Sequence, residues 1–549
     1  MKTRLFSILT ATALTVIMGS CASDDTVNGG TAQPQTGMAM FTSETSAPAN
    51  AKPLTRTKLT YSPGNGADAQ WSTGDKIWVK DDNSTWNQSA AADFSAFPTD
   101  KSRATFALNG TYAGSTYSVA YTGSNGTSAT QVTIAAVQTQ SAPNNFDHAG
   151  VSGDCGVATA TGSAGAYKFK LAHKAAYLCF QPRCMNTNLG PNIRLTKIVV
   201  TSTSGNIAGT YDFSTGVLGT PVSGGGNSIT LNTANFPLDN TSADVQKNGA
   251  YMVIAPGNHT VNIDYYIKDP TTNVEGAVHK TGITLNCAEG TISDVTAWVD
   301  KDITEYPGNY YYMWDAQKQY WDGYEWDKAT YKQYWDQPTL NGVGGSYRPT
   351  SSSDPRYYNE SLSSPAKATT PYFQTIPNVN EITWYIMHGN PRWDADRLWT
   401  TMRHLYKGGM WFKKLDKIAA EQGINRSHMK NHAAITAVDM HTVTLTWLEY
   451  NSNYFTNHPL NTPPTDAEKP DFFYLPMLGR YHNGRLDFLG SYGAYWTSSG
   501  RGAPSYINFT ASLEFNSTNI IINKTHRENG FPTIPFRTAS STGTGPFFE

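Results

Sequence analysis

Apolar and polar positions alternate with a period of two along most of the first 300 residues. Short runs such as Lys76-Ile77-Trp78-Val79, Ala104-Thr105-Phe106-Ala107-Leu108 and Val132-Thr133-Ile134 are separated by Gly, Asn and Ser. That pattern predicts half-buried strands joined by turns. It resumes with Phe169-Lys170-Leu171-Ala172-His173 and continues through residues 195–201, Met252-Val253-Ile254 and Val261-Asn262-Ile263-Asp264-Tyr265. Two successive all-β domains are expected, over residues 41–165 and 166–303. Beyond residue 304 the texture changes. Residues 394–422 are expected to be helical: Leu398, Met402 and Leu405 share one face. Gly408-Gly409 interrupts it, Trp411, Leu415, Ile418 and Ala419 continue it, and Gly423 ends it. Strands are predicted again at 441–450 and 505–515, so residues 304–549 read as an α+β module.

Composition sharpens this division. The 549 residues fit about three or four domains. Charged residues make up 15% of the chain, against roughly 25% for an average soluble domain. The net charge of −2 comes without a basic block, which argues against a nucleic-acid partner. No apolar run reaches the length of a membrane-spanning helix. Ten of the 14 Trp lie after residue 300. Four Trp-Asp pairs fall within 314–336, too irregularly for a propeller repeat.

Residues 1–20 read as an export signal. Lys2 and Arg4 precede the apolar stretch Leu5 to Met18, which is too short to span a membrane comfortably. Met18-Gly19-Ser20-Cys21 resembles a bacterial lipobox, and Ala22-Ser23-Asp24-Asp25 resembles the acidic export tag of Bacteroidetes lipoproteins. The resemblance implies an acylated Cys21 that anchors the chain in the outer membrane; the alternative is an ordinary secretory signal with a chance Cys. Residues 21–40 are a polar tether. Cys155, Cys179, Cys184 and Cys287 permit two disulfides in an exported protein, or four buried thiols.

Residues 20–303 resemble the fimbrillin family of Bacteroidetes, the type V pilus subunits. Thr55-Arg56-Thr57 precedes Trp71-Ser72-Thr73-Gly74-Asp75-Lys76-Ile77-Trp78-Val79, which is similar to the family's W-x-x-G-D-x-I-x-V. Phe169-Lys170-Leu171-Ala172-His173 resembles its F-x-L-x-H opening of the second sandwich. Ile207-Ala208-Gly209-Thr210-Tyr211 and Val253-Ile254-Ala255-Pro256-Gly257 resemble later strands. The resemblance implies two tandem Greek-key, transthyretin-like sandwiches and export as a lipoprotein. It also implies proteolysis between Arg56 and Thr57, release of a first strand spanning roughly 38–56, and refilling of the vacated groove by another pilus subunit. His173 itself is expected to be a hydrogen-bonded core residue.

The C-terminal module resembles a C-type-lectin-like fold of the kind found in the Fibrobacter major paralogous domain. Residues 474–480, Gly484-Arg485-Leu486, 493–499, the alternation at 509–515 and 527–537 carry that likeness. It lacks the Glu-Pro-Asn or Gln-Pro-Asp loop and the Trp-Asn-Asp strand of calcium-dependent sugar binding. It also lacks the cysteines that enzymes of this fold use, and no catalytic or P-loop motif occurs. The expected role is therefore non-enzymatic, with no cofactor. The expected product is a fimbrial tip subunit or adhesin at the cell surface, whose ligand is a host or bacterial surface, including glycans. The alternative is a non-polymerising, glycan-binding surface lipoprotein. Tyr320, Trp321, Tyr324, Trp326, Tyr454 and Phe455 are the expected ligand contacts, with Asn451, Phe472 and Phe473 nearby, against the alternative that most aromatics form core. Asp394 and Asp396 are expected to cap a helix rather than act as a carboxylate pair. His428, His432 and His441 are weaker candidates for a metal.

Overall fold

A computed structural model describes residues 38–44, 58–62, 66–327, 347–360, 367–434, 456–500 and 508–533, with backbone alone over 58–62 and 66–69. The chain is β-rich throughout, and its strands fall into several separate sheets. In the first region eight strands form one sheet: β1 (Met38–Ser43), β2 (Trp78–Lys80), β3 (Trp86–Gln88), β4 (Thr105–Asn109), β5 (Thr116–Tyr121), β6 (Gly156–Ser163), β7 (Ala166–Phe169) and the short Ala172–His173, which pairs with β6 off the main path. The spatial order along that path is β3-β2-β5-β6-β7-β1-β4. The alternation read from sequence is realised here. In β4, Phe106 and Leu108 are buried; in β5, Tyr117, Val119 and Tyr121 are.

The second region contains β8 (Ala176–Arg183), β9 (Arg194–Ser202), β10 (Ser228–Pro237), β11 (Ala250–Ile254), β12 (Gly257–Asp269), β13 (Val274–Cys287) and β14 (Ile292–Trp298). One sheet runs β11-β8-β14. The other runs β13-β12-β9-β10 and ends on Val137–Gln140. Between them lies a core that includes Leu178, Phe180, Ile198, Val200, Ile263 and Tyr265. The sheets do not divide at residue 165 as expected. Ala166–Phe169 belongs to the first sheet, while Gln131–Ile134 and Val137–Gln140 pair with strands of the second region. The two β regions therefore interlock through exchanged strands and share a small core of Ala120, Phe146, Cys155, Tyr177, Cys179 and Tyr251.

Within that shared core His173 behaves as expected of a core histidine. Its Nδ1 lies 2.8 Å from Asp154 Oδ1, which also accepts a hydrogen bond from the Tyr177 hydroxyl at 2.5 Å. His148 lies alongside, 5.0 Å from Phe146 by ring centroids, with its Nδ1 2.9 Å from Ser152 Oγ. Burial lowers its pKa from the ordinary 6.5 to about 4. Between those values the unfolded chain binds a proton that the folded chain refuses. The stabilisation is complete above pH 6.5 and is lost as pH falls towards 4, by about 3 kcal/mol in all. Urea unfolding at pH 7 and pH 4.5 should show a fall that is smaller by most of that amount in His148→Gln.

The C-terminal region is built on α1 (Val379–His388), β15 (Arg392–Thr401), β16 (His404–Lys413), α2 (Leu415–Gln422), α3 (Arg426–Asn431), β17 (Phe472–Pro476), β18 (Gly493–Gly500), β19 (Phe509–Phe515) and β20 (Ile520–His526). The expected helix over 394–422 is corrected. Residues 392–413 form the β15–β16 hairpin, and only its last part, α2, is helical. Met402 and Arg403 make the two-residue turn with φ of 48° and 73°, the paired positive values that such a tight hairpin requires. Gly409 lies where a side chain would strike Leu475 O at 2.5 Å, so the strand passes close to β17 there. Asp394 caps no helix. Its Oδ1 accepts from the Arg397 N–H, and its Oδ2 accepts from the Trp411 indole at 3.0 Å, within a bulged hairpin. The expected strand at 505–515 is found as β19; 441–450 lies outside the described residues.

This hairpin also reaches into the second region. Leu398 and Leu405 are buried in the core between the second pair of sheets. Asp269, at the end of β12, accepts from His404 Nδ1 at 2.9 Å and from the Leu405 N–H at 3.0 Å. The Thr272 hydroxyl donates to Leu405 O, and the Asn192 amide donates to Arg403 O.

Candidate functional site

The feature of the first sheet that sets it apart is the place of β1. It lies between two strands distant in sequence, antiparallel to β4 and parallel to β7, with Phe41 opposite Phe106 on one side and Tyr167 on the other. Backbone bonds run from Met40 N to Gly165 O, Ser43 N to Ala104 O and Glu44 N to Phe169 O, at 2.7–2.9 Å. Each such bond contributes about 1 kcal/mol net.

Side chains of β1 alternate between half-buried and buried. Ala39, Phe41 and Ser43 point inward. The Phe41 ring stacks on Tyr167 at 4.8 Å and meets the edges of Tyr112 and Tyr117 at 5.3 and 6.1 Å. Ser43 is fully buried and its hydroxyl is saturated. It accepts from the Trp71 indole N–H at 2.9 Å and from Ala104 N at 3.0 Å, and donates to Ala104 O at 3.3 Å.

The Trp71–Asp75 segment explains why that indole is available. Asp75 is buried and accepts from Ser72 N at 2.6 Å and Ser124 Oγ at 2.9 Å, which closes a tight turn. The turn holds Trp71 against Phe106 and Tyr121, with its N–H aimed at β1. Without β1, the facing edges of β4 and β7 would lose their ladder, the tyrosine cluster would lose the Phe41 ring, and the Trp71 indole would lose the Ser43 hydroxyl. The site is thus a strand-shaped slot that its own N-terminal segment fills.

Other expected site residues fall as follows. Cys21, Arg56, Thr57, Asn451, Tyr454, Phe455 and His441 lie outside the described residues. Cys155, Cys179, Cys184 and Cys287 are free and buried, so of the two readings, bridges or buried thiols, the structure has the thiols. Burial pushes Cys184 up to about 12 and Cys287 up to about 11, which keeps them protonated and unreactive.

Of the expected aromatic contacts, Tyr320 and Trp321 are corrected to core. Tyr320 is fully buried and stacks on Tyr481 at 5.2 Å; Trp321 meets the same ring edge-on. Tyr324 and Trp326 pack half-buried on that core, under Arg356 and Arg403 respectively. Phe472 and Phe473 are buried in β17. Exposed aromatics among the described residues of the C-terminal module are Tyr310, Tyr347 and Phe488. His428 and His432 stack on each other at 4.4 Å. Among the described residues no three His, Cys, Asp or Glu side chains are grouped to hold a metal ion.

No family model matches the chain, and no curated protein matches it. Among solved structures it is similar to two described as "putative cell adhesion protein". One, from Bacteroides ovatus, is 15% identical over 47% of this chain and 91% of its own, with a TM-score of 0.28. The other, from Bacteroides fragilis, is 12% identical over 46% and 87%, also with a TM-score of 0.28. A fimbrial protein from Bacteroides ovatus is 10% identical over 50% of this chain and 51% of its own, with a TM-score of 0.19. Those TM-scores are too low to establish a shared fold.

Proposed function

We propose that the chain is a fimbrial tip subunit that works by adhesion and not by catalysis. In this reading Cys21 is lipidated for export to the outer membrane. Cleavage between Arg56 and Thr57 then frees β1, and a strand from another pilus subunit takes its place. The observation that carries the reading is the position of β1. A strand held between two non-neighbouring strands, mainly by backbone bonds and one aromatic side chain, is replaceable by any strand of matching pattern.

A terminal position in the fibre is supported at the other end of the module. The last described strand, Phe531–Pro532, pairs with Tyr311–Tyr312 of the same module. The lectin-like module then projects outward and contacts a surface ligand, through residues other than Tyr320 and Trp321, which are core.

N-terminal sequencing of assembled fibres tests the reading. The expected N-terminus of the assembled subunit is Thr57. A mature subunit that still begins at acylated Cys21 would instead make it a non-polymerising surface lipoprotein.

A further inference from the structure

Strand exchange leaves open what the slot accepts, and the geometry around β1 bears on this directly. Main-chain bonds to β4 and β7 are indifferent to side chains, so choice among strands must come from the inward positions. Position 41 is walled by three tyrosine rings. Position 43 is different in kind, because two buried N–H donors, from Trp71 and Ala104, converge on one small hydroxyl. A purely apolar side chain there leaves both donors without an acceptor in a dry core. Position 39 holds Ala, 6% exposed.

We infer that the slot reads its incoming strand by an alternating code of small residue, aromatic and small hydroxyl at the sites of Ala39, Phe41 and Ser43, with Trp71 as the residue that reads the hydroxyl. The inference rests on the exchange reading above and narrows the partner to a strand of the form small-x-aromatic-x-Ser or Thr. A one-residue slip presents Met40 and Thr42 to the core, with no aromatic for the tyrosine cluster. The code therefore fixes register as well as partner.

The test uses the full chain cut after Arg56, with the cut verified by mass. Labelled peptides corresponding to residues 38–44 are offered in excess, with the native sequence, Phe41→Ala or Ser43→Val. Native mass spectrometry reads which peptide occupies the slot. The native peptide is expected to outcompete each variant at least tenfold. With Trp71→Phe protein, which keeps an aromatic ring but no N–H, the preference for Ser43 over Val is expected to shrink at least threefold. Equal entry of all peptides, or undiminished preference in Trp71→Phe, overturns the code while leaving exchange intact. Entry by no peptide overturns exchange, and the code with it. In the uncut chain, urea midpoints for Ser43→Val, Trp71→Phe and the double variant give an independent reading. The double variant is expected to lose clearly less than the sum of the two, and additive losses overturn the role of Trp71.

Discussion

Phe41→Ala is expected to destabilise the first β region by about 3–5 kcal/mol, the range for truncating a buried Phe. The ring is fully buried, stacked on Tyr167 and edged by Tyr112 and Tyr117. Those tyrosines are tied elsewhere, which limits collapse into the space left. Tyr167 donates to Tyr112 O at 2.8 Å, and Tyr117 donates to Asp82 at 2.7 Å. The loss concentrates in β1, whose remaining inward side chains are small. Limited proteolysis of the purified protein should therefore remove the N-terminal segment first in the variant, while fragments from the C-terminal module keep their wild-type resistance. Equal resistance of the N-terminal segment in variant and wild type would count against the slot as the weak point of the fold.

The second large effect is expected at Asp315→Ala. This carboxylate is 2% exposed and ties residues 314–316 to Asn359 and to Thr369 and Thr370. Its Oδ1 accepts from the Thr370 N–H and hydroxyl at 2.9 and 2.6 Å. Its Oδ2 accepts from the Thr369 N–H and hydroxyl and from Asn359 Nδ2, at 2.7–2.9 Å. Behind it Arg527 lies over the Trp314 ring at 4.4 Å and donates to Asn359 O. Removing the carboxylate takes the acceptor from five donors, of which those of exposed Thr369 can turn to water, and takes a negative charge from beside the buried Arg527, a loss of about 2–4 kcal/mol. Asp315→Asn keeps one acceptor oxygen and should lose less. Thermal unfolding of both variants checks the order Ala below Asn below wild type.

The two expected effects also show what could be read from the residues alone. Period-two alternation marked strands such as β4, β9 and β12, because one face of each is buried against a core. The Trp71–Asp75 motif was legible as a motif, but its purpose was not. That the indole bonds Ser43 depends on a contact across 28 residues, which no local pattern encodes. Residues 394–413 were misread because Leu398, Met402 and Leu405 fit a helical face, and because the hairpin turn uses Met402-Arg403 in place of the usual Asn-Gly. Helix α1 escaped for the opposite reason. Residues Val379 to Ile386 are buried all round, polar Asn380, Glu381 and Thr383 included, so no solvent face marks the helix, although Asn378 and Glu381 form a capping box that could have marked its start. Tyr320 and Trp321 read as ligand contacts, yet both are interior. An aromatic surplus by itself does not distinguish a platform from a core.

The hairpin β15–β16 has a mechanical consequence. Its tip is plugged into the second β region by Leu398 and Leu405 and pinned at Asp269. A pull on the C-terminal module is therefore delivered straight into β12 and the sheet behind it. With several bonds side by side at this coupling, a tug must break them together, whereas a flexible strap would first stretch and absorb the jolt. The module is therefore coupled to its base as a stiff lever would be, so motion of one passes to the other almost undamped.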